Sequence, residues 1–139
     1  GVAFNQFEDD ANDENDNVLN SSPQSSPVGI TRLESPVASG DIVEYTIYFQ
    51  SEGAEALENV RVCDVIPDGT TFVDGSIVVN NGGSGADNGN FSSPLAPVPA
   101  NFQDICRNGT PTNGAVITNL GTLPAGGQFG FVRFRVRVN

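Results

Sequence analysis

Apolar and polar residues alternate along several stretches of the chain after residue 28, and a period of two predicts β-strands. The clearest stretch is 41–50, DIVEYTIYFQ, in which every second residue from Val43 onward is apolar and packs on one predicted face. Weaker stretches follow at 59–65, 70–73, 76–80, 115–120 and 128–138. Turn-forming residues such as Pro67-Asp68-Gly69 separate them. No stretch has the 3.6-residue period of a helix, so we predict a β-sandwich of about seven strands.

The last predicted strand, 128–138, separates its apolar and basic residues between two faces. Its inward positions are Val132, Phe134, Val136 and Val138, and its outward positions are Arg133, Arg135 and Arg137. These three arginines are half of the six basic residues in the chain. An arginine row protects a sheet edge from stray pairing, or it docks an acidic segment. We favour docking, and interpret the row as a charged contact between subunits.

The first 27 residues differ in composition from the rest of the chain and are predicted to form an extended N-terminal arm. Residues 1–7, GVAFNQF, read as an apolar strand through Val2, Phe4 and Phe7. The segment 8–17 is strongly acidic, and 20–27 is a Ser/Pro linker. We therefore divide the chain into an extension, 1–27, and a sandwich, 28–139.

One long stretch of the sandwich, 81–114, is rich in Gly, Asn, Ser and Pro and shows no period. We interpret it as a surface excursion, because structureless loops of that length are uncommon inside a compact domain. Cys106 lies within it and Cys63 lies in the strand at 59–65. An even count of two cysteines fits one disulfide in an oxidising compartment. Two free buried thiols are the alternative.

Composition excludes several classes of function. Seventeen acidic residues against six basic ones give a net charge of −11, which argues against nucleic acids and anionic membranes as partners. No apolar run approaches the ~20 residues of a membrane-spanning helix. The chain begins at Gly1, so we expect that a signal segment was removed or that the sequence is part of a longer protein.

Catalysis is not expected. The chain has no His and no Lys, so the usual base for a Ser or Cys nucleophile is missing. A carboxylate pair can hydrolyse glycosides, and Asp64 with Asp68 or Asp74 is the candidate pair. Turn hydrogen bonds explain those three residues better. No organic cofactor is expected.

The acidic segment is a candidate Ca²⁺ site. Six acids fall within nine positions, and closely spaced carboxylates suit the flexible oxygen coordination of Ca²⁺. The candidate ligands are Asp9, Asp10, Asp13, Glu14 and Asp16. The alternatives are a solvated acidic tail or pairing with arginines of a neighbouring surface.

Three Asn-x-Ser/Thr sequons begin at Asn20, Asn90 and Asn108 and are candidate glycosylation sites. A chain this rich in Asn, Ser and Thr contains about two such sequons by chance, so their number decides nothing.

The order of several residues resembles the conserved-repeat family known as domain of unknown function eleven. The family pattern is a Gly-Asp before a Tyr-bearing strand, a Gly turn, then Asn-Val-x-Val-x-Asp-x-x-Pro-x-Gly and a Phe-Val strand. The matching residues are Gly40, Asp41, Tyr45, Gly53, Asn59, Val60, Val62, Asp64, Pro67, Gly69, Phe72 and Val73. The ending LGTLPAGGQFGFVRFRVRV is also similar. The resemblance covers residues 28–138 apart from the excursion, and Cys63 and the acidic leader depart from the pattern.

This resemblance implies an immunoglobulin-like β-sandwich of a secreted or cell-surface protein, of the kind found in tandem stalk and adhesive modules. We expect a structural subunit of an extracellular filament or surface layer, assembled from copies of itself by β-strand donation from residues 1–7. The alternative is a calcium-dependent adhesive module that binds a glycan or another cell through residues 81–114.

Overall fold

The computed structural model of the protein describes residues 4–8, 30–33, 36–51, 53–80, 89–106, 111–126 and 128–139. The chain divides into two compact units, Gly1–Ala38 and Ser39–Asn139. The sequence had placed the boundary between residues 27 and 28, so the segment 28–38 belongs to the first unit.

The first unit contains a two-stranded antiparallel sheet. Strand β1 (Phe4–Glu8) pairs with strand β2 (Ile30–Leu33), with Phe4 opposite Leu33 and Glu8 opposite Ile30. A bulge between Phe4 and Gln6 interrupts the register. A strand was predicted within residues 1–7, for donation to another copy. In the structure β1 pairs along one of its edges with β2 of its own chain, so the segment is not a lone strand.

In its described residues the second unit is an all-β sandwich of seven strands, as predicted. The strands are β3 (Ile42–Ser51), β4 (Leu57–Val65), β5 (Thr70–Phe72), β6 (Val78–Asn80), β7 (Gly89–Ser92), β8 (Ala115–Leu123) and β9 (Gln128–Val138). In one antiparallel sheet β9 is central, with β3 on one side and both β5 and β6 on the other. In the second sheet β8 is central between β4 and β7.

The core lies between these two sheets and is built from the alternating apolar positions. Its buried residues come mainly from the two central strands, namely Val132, Phe134 and Val136 of β9 and Val116, Leu120 and Leu123 of β8. The predicted inward residues of β3 pack against them, and the ring of Tyr45 stacks on Phe134 at 5.5 Å between centroids. Burying side chains of this size stabilises the fold by about 1.5–3 kcal/mol each.

The stretch 81–114 is only partly the irregular excursion that the sequence predicted. Residues Gly89–Ser92 form β7 and pair with β8. Phe91 of β7 stacks on Phe72 with 4.3 Å between the ring centroids, and a Cβ at Gly89 would collide with Ile77. β7 therefore packs directly on the β5–β6 side of the facing sheet, and this side of the sandwich is closed by contacts between side chains. A four-residue strand that starts with glycine is too short to show a period of two.

Candidate interaction surfaces

The disulfide between Cys63 and Cys106 is formed, with 5.4 Å between the two Cα atoms. Cys63 lies on the outer face of β4, opposite the core. The stretch 93–106 crosses this face and buries Val98 and Phe102 against Ala115 and Ile117 of β8. Residues 93–106 therefore cover a second, smaller core and are fixed at their C-terminal end by the disulfide.

A salt bridge holds the same segment in place. Both terminal nitrogens of Arg61 donate to the carboxylate of Asp104, Nη1 to Oδ1 at 3.1 Å and Nη2 to Oδ2 at 2.9 Å. These hydrogen bonds lower the pKa of Asp104, because they favour the charged carboxylate. No pattern in the sequence predicts this pair, because 43 positions separate its members.

The outer face of the other sheet carries the arginine row. Arg133, Arg135 and Arg137 alternate with buried β9 residues and point away from the core. Glu44 of β3 accepts from Arg135 Nε at 2.8 Å, and its second oxygen lies 3.4 Å from Arg133 Nε. One carboxylate is thus shared by two guanidinium groups. Three positive charges and one negative charge leave this row at +2, on a protein of net charge −11.

Two aromatic side chains, Phe131 of β9 and Tyr48 of β3, lie next to the arginine row. The guanidinium carbon of Arg133 lies 4.9 Å from the centroid of the Phe131 ring, and the edge of Tyr48 meets the same ring at 6.2 Å. Arg133 Nε also donates to Thr46 Oγ1 at 3.3 Å. These contacts orient Arg133, so its charge is held at a fixed place beside β3.

β3 and β4 are the edge strands on the side of the sandwich away from β5, β6 and β7. They differ in the regularity of their register. β3 makes ten consecutive register pairs with β9, from Ile42 opposite Arg137 to Ser51 opposite Gln128, and among the described residues it pairs with no other strand. β4 has two register shifts near Val60, and Asn59 has a φ of 56°. Bulges and charges protect an edge against further pairing. β4 has both, with Glu58 exposed, whereas β3 carries the charge of Glu44 but its register has no shift along ten residues.

The other predicted site residues fall mostly outside the described part of the chain. Phe4 and Phe7 lie in β1, and nothing is described of their side chains. Asn90 is exposed on β7. Val2, Asn20, Asn108 and the candidate Ca²⁺ ligands Asp9, Asp10, Asp13, Glu14 and Asp16 lie outside the described residues. Within the described ranges no group of three His, Cys, Asp or Glu side chains can hold a metal ion.

Of the carboxylates weighed for catalysis, Asp68 lies in a turn as expected, whereas Asp64 lies within strand β4 and not in a turn. Asp68 lies in the turn after Pro67, and its Oδ1 accepts from Asn113 Nδ2 at 3.1 Å. Asp64 points from β4 toward the core side, and burial raises its pKa although the Val65 N–H partly offsets this effect.

Comparison with protein-family models, with curated proteins and with solved structures finds no match to this chain. Among the residues that the structure describes, no helix has the length and apolar character needed to cross a membrane.

The two perturbed carboxylates give stability effects of opposite sign. The folded-state pKa of Asp64 is raised above 3.8, so burial of its charge costs stability at neutral pH and the cost disappears as the pH falls below 3.8. The folded-state pKa of Asp104 is lowered, so its stabilisation is present above 3.8 and is lost as the pH falls through the folded pKa. We expect Asp64→Asn to stabilise and Asp104→Asn to destabilise the protein at pH 7.

Urea unfolding of both variants and the parent between about pH 2 and pH 7 measures these effects. Both differences from the parent should shrink toward the acid end. Effects of the same sign at pH 7 would contradict the assignment.

Proposed function

We propose that this chain is a non-catalytic structural subunit of an extracellular filament or cell-surface layer, in which the N-terminal unit of one copy adds to the β3 edge of the next. The observation that carries the proposal is the ten-residue edge of β3, which is regular along its whole length and has one ladder, with β9, among the described residues.

An edge strand with a single ladder among the described residues tends to acquire a second partner strand. Every second residue of an edge strand points its N–H and C=O groups away from the sheet, and those groups template a further strand. The sequence of β3, IVEYTIYFQS, has high β-propensity, no proline and a single charge. Native proteins cover or blunt such an edge, which supports a role in assembly.

The donor in this proposal is a ribbon of two strands. β1 is already hydrogen-bonded to β2, so each of these strands keeps one edge that its partner does not use. Strand addition needs only one such edge, because main-chain hydrogen bonds supply the affinity. Addition to the next copy is a heterologous contact, and such contacts propagate into open assemblies when the rotation does not close.

Charge complementarity supports the same pairing. The acidic segment 8–17 begins at Glu8, the last residue of β1, and the arginine row of +2 lies on β9, which is the strand next to β3. A ribbon added to β3 would bring its acidic segment near this row. Electrostatic attraction of this kind favours the encounter and selects the partner.

The disulfide is compatible with an extracellular protein, and we propose that the chain is exported. The resemblance to surface-protein modules described above points to the same location, and an immunoglobulin-like relationship is part of this proposal. In the proposed layer, Ca²⁺ bound by the acidic segment would neutralise carboxylates that the arginine row does not reach.

A calcium-dependent adhesive module is the second candidate. The observation in its favour is the excursion, which the disulfide and the Arg61–Asp104 pair fix on the sheet and which presents a fully exposed Leu95. A module of this kind would remain monomeric and would keep its ligand after removal of residues 1–8.

The acceptor edge can be tested with two matched lysine substitutions. Thr46 on β3 and Val78 on β6 lie opposite Arg133 from its two sides, so Thr46→Lys and Val78→Lys place the same charge in the same row of the sheet. Only the first puts a lysine on the β3 edge, where it opposes strand addition. We expect Thr46→Lys and deletion of residues 1–8 each to reduce assembly at least tenfold, and Val78→Lys to leave it nearly unchanged.

Sedimentation velocity and electron microscopy measure the assembly, and circular dichroism checks that each variant is folded. Equal assembly by the two lysine variants would exclude the β3 edge. Full assembly without residues 1–8 would exclude the donor.

The arginine row makes a separate prediction about charge. Replacing Arg133, Arg135 and Arg137 together by Gln should weaken self-association and reduce its salt dependence, because the attraction to the acidic segment is screened by salt. The matched control is Arg61→Gln, which removes a guanidinium from the opposite sheet. Sedimentation at low and high salt compares the two variants. Equal behaviour of both would argue against docking at the row.

A further inference from the structure

The start of β3 and the end of β9 lie at the same end of the sandwich. Ile42, the first residue of β3, is opposite Arg137 near the end of β9. Just outside the ladder, Gly40 N–H donates to Val138 O at 2.8 Å and Val138 N–H donates to Asp41 O at 2.9 Å. The segment that leads into the sandwich and the segment that leaves it are therefore hydrogen-bonded neighbours.

This arrangement decides how the sandwich responds to tension between its two ends. Hydrogen bonds of an antiparallel ladder run perpendicular to the strands. A force that separates Ser39 from Asn139 therefore acts along those bonds and loads the pair at the end of the ladder first. The bonds then break one after another. If the same ladder were pulled lengthwise, all ten register pairs would share the load.

Short contacts hold the end of β9 on the side away from β3. There β5 contributes three register pairs, from Thr70 opposite Val138 to Phe72 opposite Val136. Nearby, Val73 N–H donates to Arg135 O and Arg135 N–H donates to Ser76 Oγ, both at 3.0 Å. Asn139 adds a hydrogen bond from its N–H to Gly69 O at 2.9 Å and one from Thr71 Oγ1 to its Oδ1 at 2.7 Å. β9 is the central strand of its sheet, so its removal exposes Phe134 and separates β3 from β5 and β6.

We propose that the sandwich is a tension-releasing element, which unzips from β9 when it is pulled through its two ends. A load-bearing module differs from this sandwich. In such a module the two points of attachment lie at opposite ends, and the strands are loaded in shear. A sandwich that unzips in this way is suited to extend under load, or to be attached where it does not carry the load. The inference depends on the β3–β9 register and does not rest on strand donation.

The disulfide sets how far the released chain extends. Cys63 and Cys106 enclose a loop with a sequence separation of 43, which tension cannot open while the bond is intact. About 57 of the roughly 100 residues between Ser39 and Asn139 lie outside that loop, so at ~3.6 Å per residue the oxidised sandwich releases about 200 Å. Reduction raises the release to about 360 Å. The disulfide therefore limits the extension, because the residues between Cys63 and Cys106 stay closed in a loop.

Single-molecule force spectroscopy on the full chain tests the inference. Handles attached through clickable non-natural residues at Ser39 and Asn139 load the β3–β9 ladder as a zipper. Handles at Glu55 and Asn139 are the matched control, because Glu55 lies in the turn after the other end of β3 and so loads the same ladder in shear. We expect the first geometry to yield at less than half the force of the second at the same loading rate.

The length gained in the first geometry should be about 200 Å, and about 360 Å after reduction. Equal forces in the two geometries, or a higher force with the handles at Ser39 and Asn139, would overturn the proposal. A gain that does not change on reduction would show that the disulfide does not limit extension. Neither result depends on whether the protein assembles.

Discussion

The structure of the sandwich depends on strand β9 and its ladders. β9 places Val132, Phe134 and Val136 in the core and three arginines on the opposite face. It also pairs with β3 along ten residues and with both β5 and β6 on its other side. One strand thus joins the whole sheet and supplies its best-buried residues. A one-residue slip of its register would turn the arginines inward, so the register is strongly specified.

The two lateral sides of the sandwich differ in how the edges of the two sheets meet. On the β5–β6 side, Phe72 stacks on Phe91 and Gly89 lies too close to Ile77 for any side chain, so the two sheets close on each other. On the other side β3 and β4 belong to different sheets and share no ladder among the described residues. The irregular backbone of β4 protects its edge, and β3 has no such device. This difference singles out β3 as the edge for assembly in the proposed function.

The proposed assembly and the proposed mechanical weakness fit together. Tension that passes through Ser39 and Asn139 peels β9 from β3. In an assembly built by strand addition, load would pass from Ser39 into β3 and across the added ladder without reaching the end of β9. A subunit joined in this way releases length only when tension also reaches Asn139, whereas a tandem module would place the β3–β9 ladder directly in the load path.

The sequence predicted the features that depend on long regular patterns. The alternation over 41–50 and 128–138 located β3 and β9 and assigned their inward residues, and the two cysteines predicted the disulfide. The sequence did not reveal β7, because this four-residue strand has one large apolar residue, Phe91, and so shows no alternation. The Arg61–Asp104 pair and the sharing of Glu44 between Arg133 and Arg135 were also missed, because pairing between distant residues depends on a register that one sequence does not encode locally. The unit boundary at Ala38 was missed because β2 is too short to show which strand it pairs with.

Amide hydrogen exchange of the assembled protein tests the central claim most directly, since it reports each backbone N–H of β3 separately. The N–H groups of β3 that point away from β9 exchange with solvent unless another strand covers them. We expect these groups to become protected when the protein assembles, while the outward N–H groups of β4 keep their exchange rates. Assembly that leaves the β3 edge as exchangeable as in the isolated subunit, or that protects β4 instead, would contradict the claim.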